Sequence, residues 1–176
     1  MRRFFVLMVL AISILSLAQI NFDVFGSYAF TISATPTEAA SSITYVSGGI
    51  QAMYEVSEGV EIGGGVGIAY FLAPSTSLIS DFLGVENASL ALDVLASAKY
   101  SLPIDDFSMV TIRGYGGISL PGFNFQSMGY VVGIGVYYTY DMIDFKISAG
   151  GGIEMRTYGT SNCTSIPLGV LGSFRF

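Results

Sequence analysis

Apolar residues recur at every second position through eight stretches of this 176-residue chain. Side chains alternate between the two faces of a strand, so this period describes β-structure with one apolar face. From Asn21 to Ser33, Phe22, Val24, Gly26, Tyr28, Phe30 and Ile32 share one face, with Asp23, Phe25, Ser27 and Thr31 on the other. The same reading gives strands over Ile43–Val56, Val60–Leu72, Ser89–Leu102, Phe107–Leu120, Gly129–Tyr140, Phe145–Arg156 and Ile166–Phe176. None of the eight apolar faces carries a charge. A helical period does not fit these stretches, and their glycines would weaken helices.

An uncharged apolar face on every strand needs an apolar solvent. The connections alternate between short turns (57–59, 103–106, 141–144) and longer loops (34–42, 73–88, 121–128, 158–165). That asymmetry is the pattern of transmembrane barrels, whose periplasmic turns are short and whose extracellular loops are long. Stretches of about 11–13 residues also cover the ~9–11 that a tilted strand needs to cross hydrocarbon. The expectation is an all-β, eight-stranded antiparallel up-and-down transmembrane barrel over residues 19–176. Aromatics gather near the strand ends as two interfacial belts: Phe22, Tyr100, Tyr140, Phe145 and Phe176 on one rim, Phe30, Tyr70 and Tyr130 on the other. A soluble barrel of the lipocalin sort would need the sparse, glycine- and serine-rich face to serve as its water surface. That face carries too little charge for the task.

Residues 1–18 have the layout of a cleaved signal peptide. Arg2 and Arg3 form a basic start, Phe4 to Leu17 an apolar run, and Ser16-Leu17-Ala18 a small-residue cleavage site. The run is short for a spanning helix, which disfavours an uncleaved anchor. Removing Arg2 and Arg3 leaves five basic residues against 13 acidic ones, a net charge of −8. Such a balance argues against nucleic acid as a partner.

At this level of pattern the chain resembles the small bacterial outer-membrane barrels of the OmpA transmembrane-domain and OmpX-like group. The resemblance covers everything after the signal. It is carried most specifically by the C-terminal strand, where Leu168, Val170, Phe174 and Phe176 match the family's insertion signal and Gly172 departs from it. It implies residence in the outer membrane, contact with its lipid, and a passing encounter with the barrel assembly machinery during insertion.

Charge placement supplies the sharpest functional reading. All five basic residues after the signal, Lys99, Arg113, Lys146, Arg156 and Arg175, fall on inward faces. Asp23, Glu55, Glu61, Asp93 and Glu154 do the same, making a formally neutral lumen. Isolated buried charges are costly, so these ions need partners. Hairpin pairing puts Asp93 within a diagonal of Arg113, closure of the barrel puts Asp23 near Arg175, and Lys99 beside Glu61 is a third candidate pair. A balanced set reads as a braced plug rather than an ion-selective pore. Inward glycines at positions 63, 65, 67, 133, 135, 150 and 152 leave mid-depth space that Gln51, Arg113, Tyr115 and Tyr137, or water, could fill.

The chain has no histidine. Barrel acylases, deacylases, phospholipases and omptin-like proteases depend on one, so no catalytic site is expected, nor any cofactor or metal. Cys163, the sole thiol, falls in the 158–165 loop and reads as exposed and idle. The loops carry apolar side chains, Leu78, Ile79, Phe82 and Leu83 in one and Phe123 and Phe125 in another. These could pack over the mouth or contact an extracellular partner of unknown kind. Two functions fit: a structural or surface-interaction barrel, and a small channel, OmpW-like, for hydrophobic molecules.

Overall fold

The computed structural model describes residues 20–35, 42–142 and 145–175. The signal segment 1–18 and the terminal Phe176 of the insertion signal lie outside the described residues. The strands are β1 (Ile20–Thr35), β2 (Thr44–Ser57), β3 (Val60–Leu72), β4 (Leu90–Pro103), β5 (Ser108–Pro121), β6 (Gly129–Asp141), β7 (Phe145–Tyr158) and β8 (Ser161–Arg175). Each pairs antiparallel with its chain neighbour, and β1 pairs with β8 to close the barrel. Closure sets Phe22 opposite Phe174 and Tyr28 opposite Leu168. Closing the sheet leaves no unpaired edge, which is the condition for a strand structure in lipid.

The outer wall follows the two-residue period. Val24, Ile50, Ile134, Val136 and Val170 stand 50–60% exposed at its waist. Aromatic pairs mark both ends: Tyr28 meets Phe30 edge-on at 4.7 Å, Phe107 stacks with Tyr140 at 6.5 Å and Phe145 with Phe174 at 6.3 Å.

In its strands and loops the structure departs from the sequence reading in three places. The 158–165 loop does not exist. β7 runs to Tyr158 and β8 begins at Ser161, with Gly159 (φ 56°) and Thr160 making a tight turn. Ser161, Cys163 and Ser165 look like loop residues because the inner wall of this barrel is itself small and polar. Cys163 is therefore fully buried rather than exposed. A bulge in β1 between Thr31 and Ser33 turns Ala34 inward, leaving Ser33 exposed where strict alternation puts it inside. Finally, the 73–88 loop contains a helix, α1 (Thr76–Leu83). Its N-cap is Ser75, whose hydroxyl accepts the Leu78 N–H at 3.4 Å, and it ends at Gly84 in the left-handed conformation (φ 69°). The 121–128 loop holds a single 3-10 turn, Phe125–Ser127.

Close approach of the strands accounts for Gly63, Gly65, Gly150 and Gly152, whereas tyrosine rings fill the space left at Gly133 and Gly135. A Cβ at Gly65 would run into the Ile50 carbonyl oxygen and sit 2.6 Å from the Gln51 Cα. At Gly133 a Cβ would collide with the ring of Tyr115, which occupies the space left there.

Candidate functional site: the lumen

The inward side chains form four layers between the turn end of the barrel and its loop end. At the turn end Asp141, read from sequence as a turn acid, closes β6. It accepts a hydrogen bond from Arg175 at 2.9 Å and lies 3.7 Å from the Lys146 ammonium. Arg175 thus pairs with Asp141 and not with Asp23. The reason is depth: Asn21, not Asp23, lies opposite Arg175. Glu55 stands exposed at this mouth, in an open bowl of about 530 Å³ with Glu58, Glu61, Lys146 and Arg175.

Above the bowl, Lys99 holds two carboxylates. Its ammonium lies 2.7 Å from Glu61 on the neighbouring strand and 2.9 Å from Asp23 on β1. The first contact is the one register predicts, since Glu61 and Lys99 face each other in the β3–β4 ladder. The second spans the lumen. Asp23 is fully buried.

At mid-depth Arg113 donates to the Gln51 side chain at 3.0 Å, and Gln51 donates on to Ser97 at 2.9 Å. The guanidinium lies between two rings, 4.8 Å from the centre of Phe25 and 4.9 Å from that of Tyr115. A desolvated cation over an aromatic face gains about 2 kcal/mol. Among the described residues no carboxylate forms an ion pair with Arg113, so the expected Asp93–Arg113 contact is absent.

Asp93 belongs to the fourth layer, centred on Arg156. This guanidinium donates from Nη1 and Nη2 to the two Asp93 oxygens at 3.1 and 2.8 Å, and from Nε to Glu154 at 2.6 Å. Every carboxylate oxygen in the cluster accepts at least one hydrogen bond, and Asp93 Oδ1 and Glu154 Oε1 each accept two. Tyr45 and Tyr115 donate to the two Glu154 oxygens at 2.5 and 2.6 Å, and Ser119 donates to Asp93 at 2.6 Å. Burying an ion costs several kcal/mol, recovered only where geometry is good and remaining lone pairs are satisfied. This cluster meets both conditions. Parity along each strand already places Tyr45, Gln51 and Tyr115 inside; nothing in their spacing names the ion each would hold.

Glu55, Lys146 and Arg175 lie at the mouth. The buried set is therefore four acids, Asp23, Glu61, Asp93 and Glu154, against Lys99, Arg113 and Arg156. The cavity between the Arg113 and Arg156 layers measures about 20 Å³, room for about one water molecule.

At the loop end the lumen becomes apolar. Ile79, Phe82 and Leu83 of α1 are buried against Ile43, Tyr45, Phe71, Tyr158 and Cys163. Leu78 is half-buried, whereas Phe123 and Phe125 stand 52% and 79% exposed. The apolar loop residues thus divide between a stopper and an open rim.

No protein-family model matches the chain, and no curated protein matches it. Among solved structures, the barrel is similar to the crystal structure of Neisserial surface protein A (NspA), with a TM-score of 0.56 at 13% identity, over 90% of this chain and 97% of that one. Two designed transmembrane β-barrels also match: one at TM-score 0.42 and 13% identity (90% and 95% covered), the other, TMB2.3, at 0.41 and 14% (91% and 97% covered). The chain has the fold of a β-barrel membrane protein. Within that class it is a closed, eight-stranded, all-antiparallel barrel like NspA, an eight-stranded outer-membrane barrel.

Proposed function

We propose that this protein is a bacterial outer-membrane barrel with a closed lumen, acting as a structural or surface-interaction protein through its loop rim. Its signal, residues 1–18, is cleaved after export. The terminal strand, with Leu168, Val170 and Phe174 toward lipid and Phe176 following in the sequence, is the segment the assembly machinery reads during insertion. The loop end, with Phe123 and Phe125 at its edge, then faces outward and is the surface available to a partner.

One observation carries the closed-lumen reading: the Lys99, Arg113 and Arg156 layers cross the barrel in succession, and the space between the upper two is about one water in size. A hydrated ion needs a wider passage. Planar-bilayer recording on the refolded protein tests this. Closure predicts no steady ohmic openings. Steady openings whose size changes in Arg113→Ala would overturn it and favour the alternative, a small channel.

A further inference from the structure

Among the described residues, the hydrogen bonds that build α1 close on its own segment. Besides the Ser75 cap, Gly84 N–H donates to the Ser80 carbonyl at 2.8 Å, and the Asn87 N–H donates to the Ser80 hydroxyl at 3.1 Å. Asn87 itself has φ 58°, a left-handed joint between the segment and β4. What seats the helix in the barrel mouth is apolar contact. The ring of Phe82 sits in an aromatic slot, 5.4 Å from Tyr158 and 5.9 Å from Phe71, both met at steep angles. Around it the barrel wall is built from small residues, with Ala69, Ala91 and Cys163 all fully buried. The slot thus has room for one inserted ring because the wall gives it room.

The floor of the slot sets the chemistry of anything that could replace Phe82. Arg156 is taken up by Asp93 and Glu154, so it offers no free charge. A charged guest would be buried unpaired, which is strongly unfavourable. An uncharged aromatic guest would repeat the contacts Phe82 makes. A displaced α1 also has somewhere to go. Its exposed face carries Thr76, Ser77 and Asp81, and an amphipathic helix can lie with its apolar face in the membrane interface beside the rim.

We propose that α1 is a displaceable stopper over an apolar vestibule that binds small uncharged aromatic molecules, Phe82 and the guest competing for the slot between Phe71 and Tyr158. This goes beyond the closed-lumen reading, because the vestibule ends blindly on the Arg156 cluster and needs no conducting path. Both readings can fail separately.

Double electron–electron resonance on the full barrel in lipid nanodiscs tests the proposal. Nitroxides are placed at Ser77→Cys on α1 and Ser57→Cys at the opposite end, in a Cys163→Ser background, with naphthalene as the probe. A second distance population should grow with naphthalene and saturate. Naphthalene-2-sulfonate, the charged analogue, should leave the distribution unchanged. Phe82→Ala should lower the half-saturating naphthalene concentration by about tenfold or more, since truncating a buried ring weakens docking of the helix. Should that variant fail to show the folded band on heat-shift gels, Phe82→Leu replaces it, with a smaller shift in the same direction. A distribution that naphthalene does not alter, or that the sulfonate alters equally, would overturn the proposal.

Discussion

Arg156 and Asp93 lie 63 positions apart in the chain and meet inside the barrel through two hydrogen bonds of 3.1 and 2.8 Å. They stand on β7 and β4, which share no ladder, so the pair braces the barrel across its interior. The same guanidinium lies 4.8 Å from the centre of the Tyr45 ring and carries Glu154 on its Nε. One side chain thus ties β2, β4 and β7 together.

Replacing Arg156 by methionine should leave Asp93 and Glu154 buried without their cation. The expected loss is about 3–5 kcal/mol, the usual cost of breaking a buried pair from one side. Urea unfolding of the refolded barrel in detergent would read it as a lower midpoint. Adding Asp93→Asn and Glu154→Gln to Arg156→Met should recover most of the loss, because the stranded charges are then gone. A triple variant no more stable than the single one would mean that the cluster contributes through packing alone.

Two glycines on opposite faces of the wall should respond in opposite ways. A methyl group at Gly65 meets the backbone of β2, which cannot move aside, so Gly65→Ala should cost about 3 kcal/mol or more, or block refolding. Gly114 has nothing within 4 Å of its Cβ position. There Gly114→Ala should be neutral or stabilise by about 0.4–1 kcal/mol, as the unfolded chain loses freedom. Refolding yield on heat-shift gels and urea midpoints separate the two.

The 103–107 turn predicts a pH effect. The Asp105 carboxylate accepts the Phe107 and Ser108 N–H groups at 2.9 and 2.8 Å and the Ser108 hydroxyl as well. The Ser108 hydroxyl bond, followed by these backbone donors, holds its pKa below the ordinary 3.8. A carboxyl depressed in the folded state stabilises above its unfolded value and loses that contribution as pH falls through the folded one. The stability gap between the native protein and Asp105→Ala should therefore stay constant above pH 3.8 and shrink below it. Urea midpoints for both proteins across that range check the sign; a gap that widens on acidification would contradict it.

Cys163 should be unreactive while the barrel is folded. It is fully buried beneath α1, in contact range of the apolar cluster at the loop end. Maleimide labelling of the refolded protein should be slow and should become fast and complete after heating in SDS. Fast labelling of the folded form would return the residue to an exposed loop.

The strand count, the identity of the two faces and the up-and-down order were legible because they are local. A two-residue period is visible within one stretch of chain, and an apolar face free of charge is visible as soon as it is read. Tyr45, Gln51 and Tyr115 could be placed inside by parity alone. The partners of the ions could not. Reading adjacent strands together correctly sets Lys99 beside Glu61, but it also brings Asp93 near Arg113 and Asp23 near Arg175, whereas the ladders set Ser119 opposite Asp93, Lys99 opposite Arg113 and Asn21 opposite Arg175. Those two contacts fail on depth, and the buried acids are met instead across the lumen, because a narrow closed barrel lets a long side chain reach the far wall. Lys99 crosses to Asp23, and Arg156 to Asp93.

The β7–β8 turn was hidden for a related reason. Small polar residues such as Ser161 and Ser165 suit a loop in water and the inner wall of this barrel equally well, and only closure tells the two apart. The helix α1 had its signals in Ser75 and Gly84, yet its docking depends on a slot formed by Tyr158 of β7 and Phe71 of β3. By itself the sequence determined an apolar exterior and a charged interior, since each follows from the side-chain alternation of single strands. Tertiary structure alone decided which charges meet and what stops the mouth, because both depend on distances across the lumen that no stretch of chain contains.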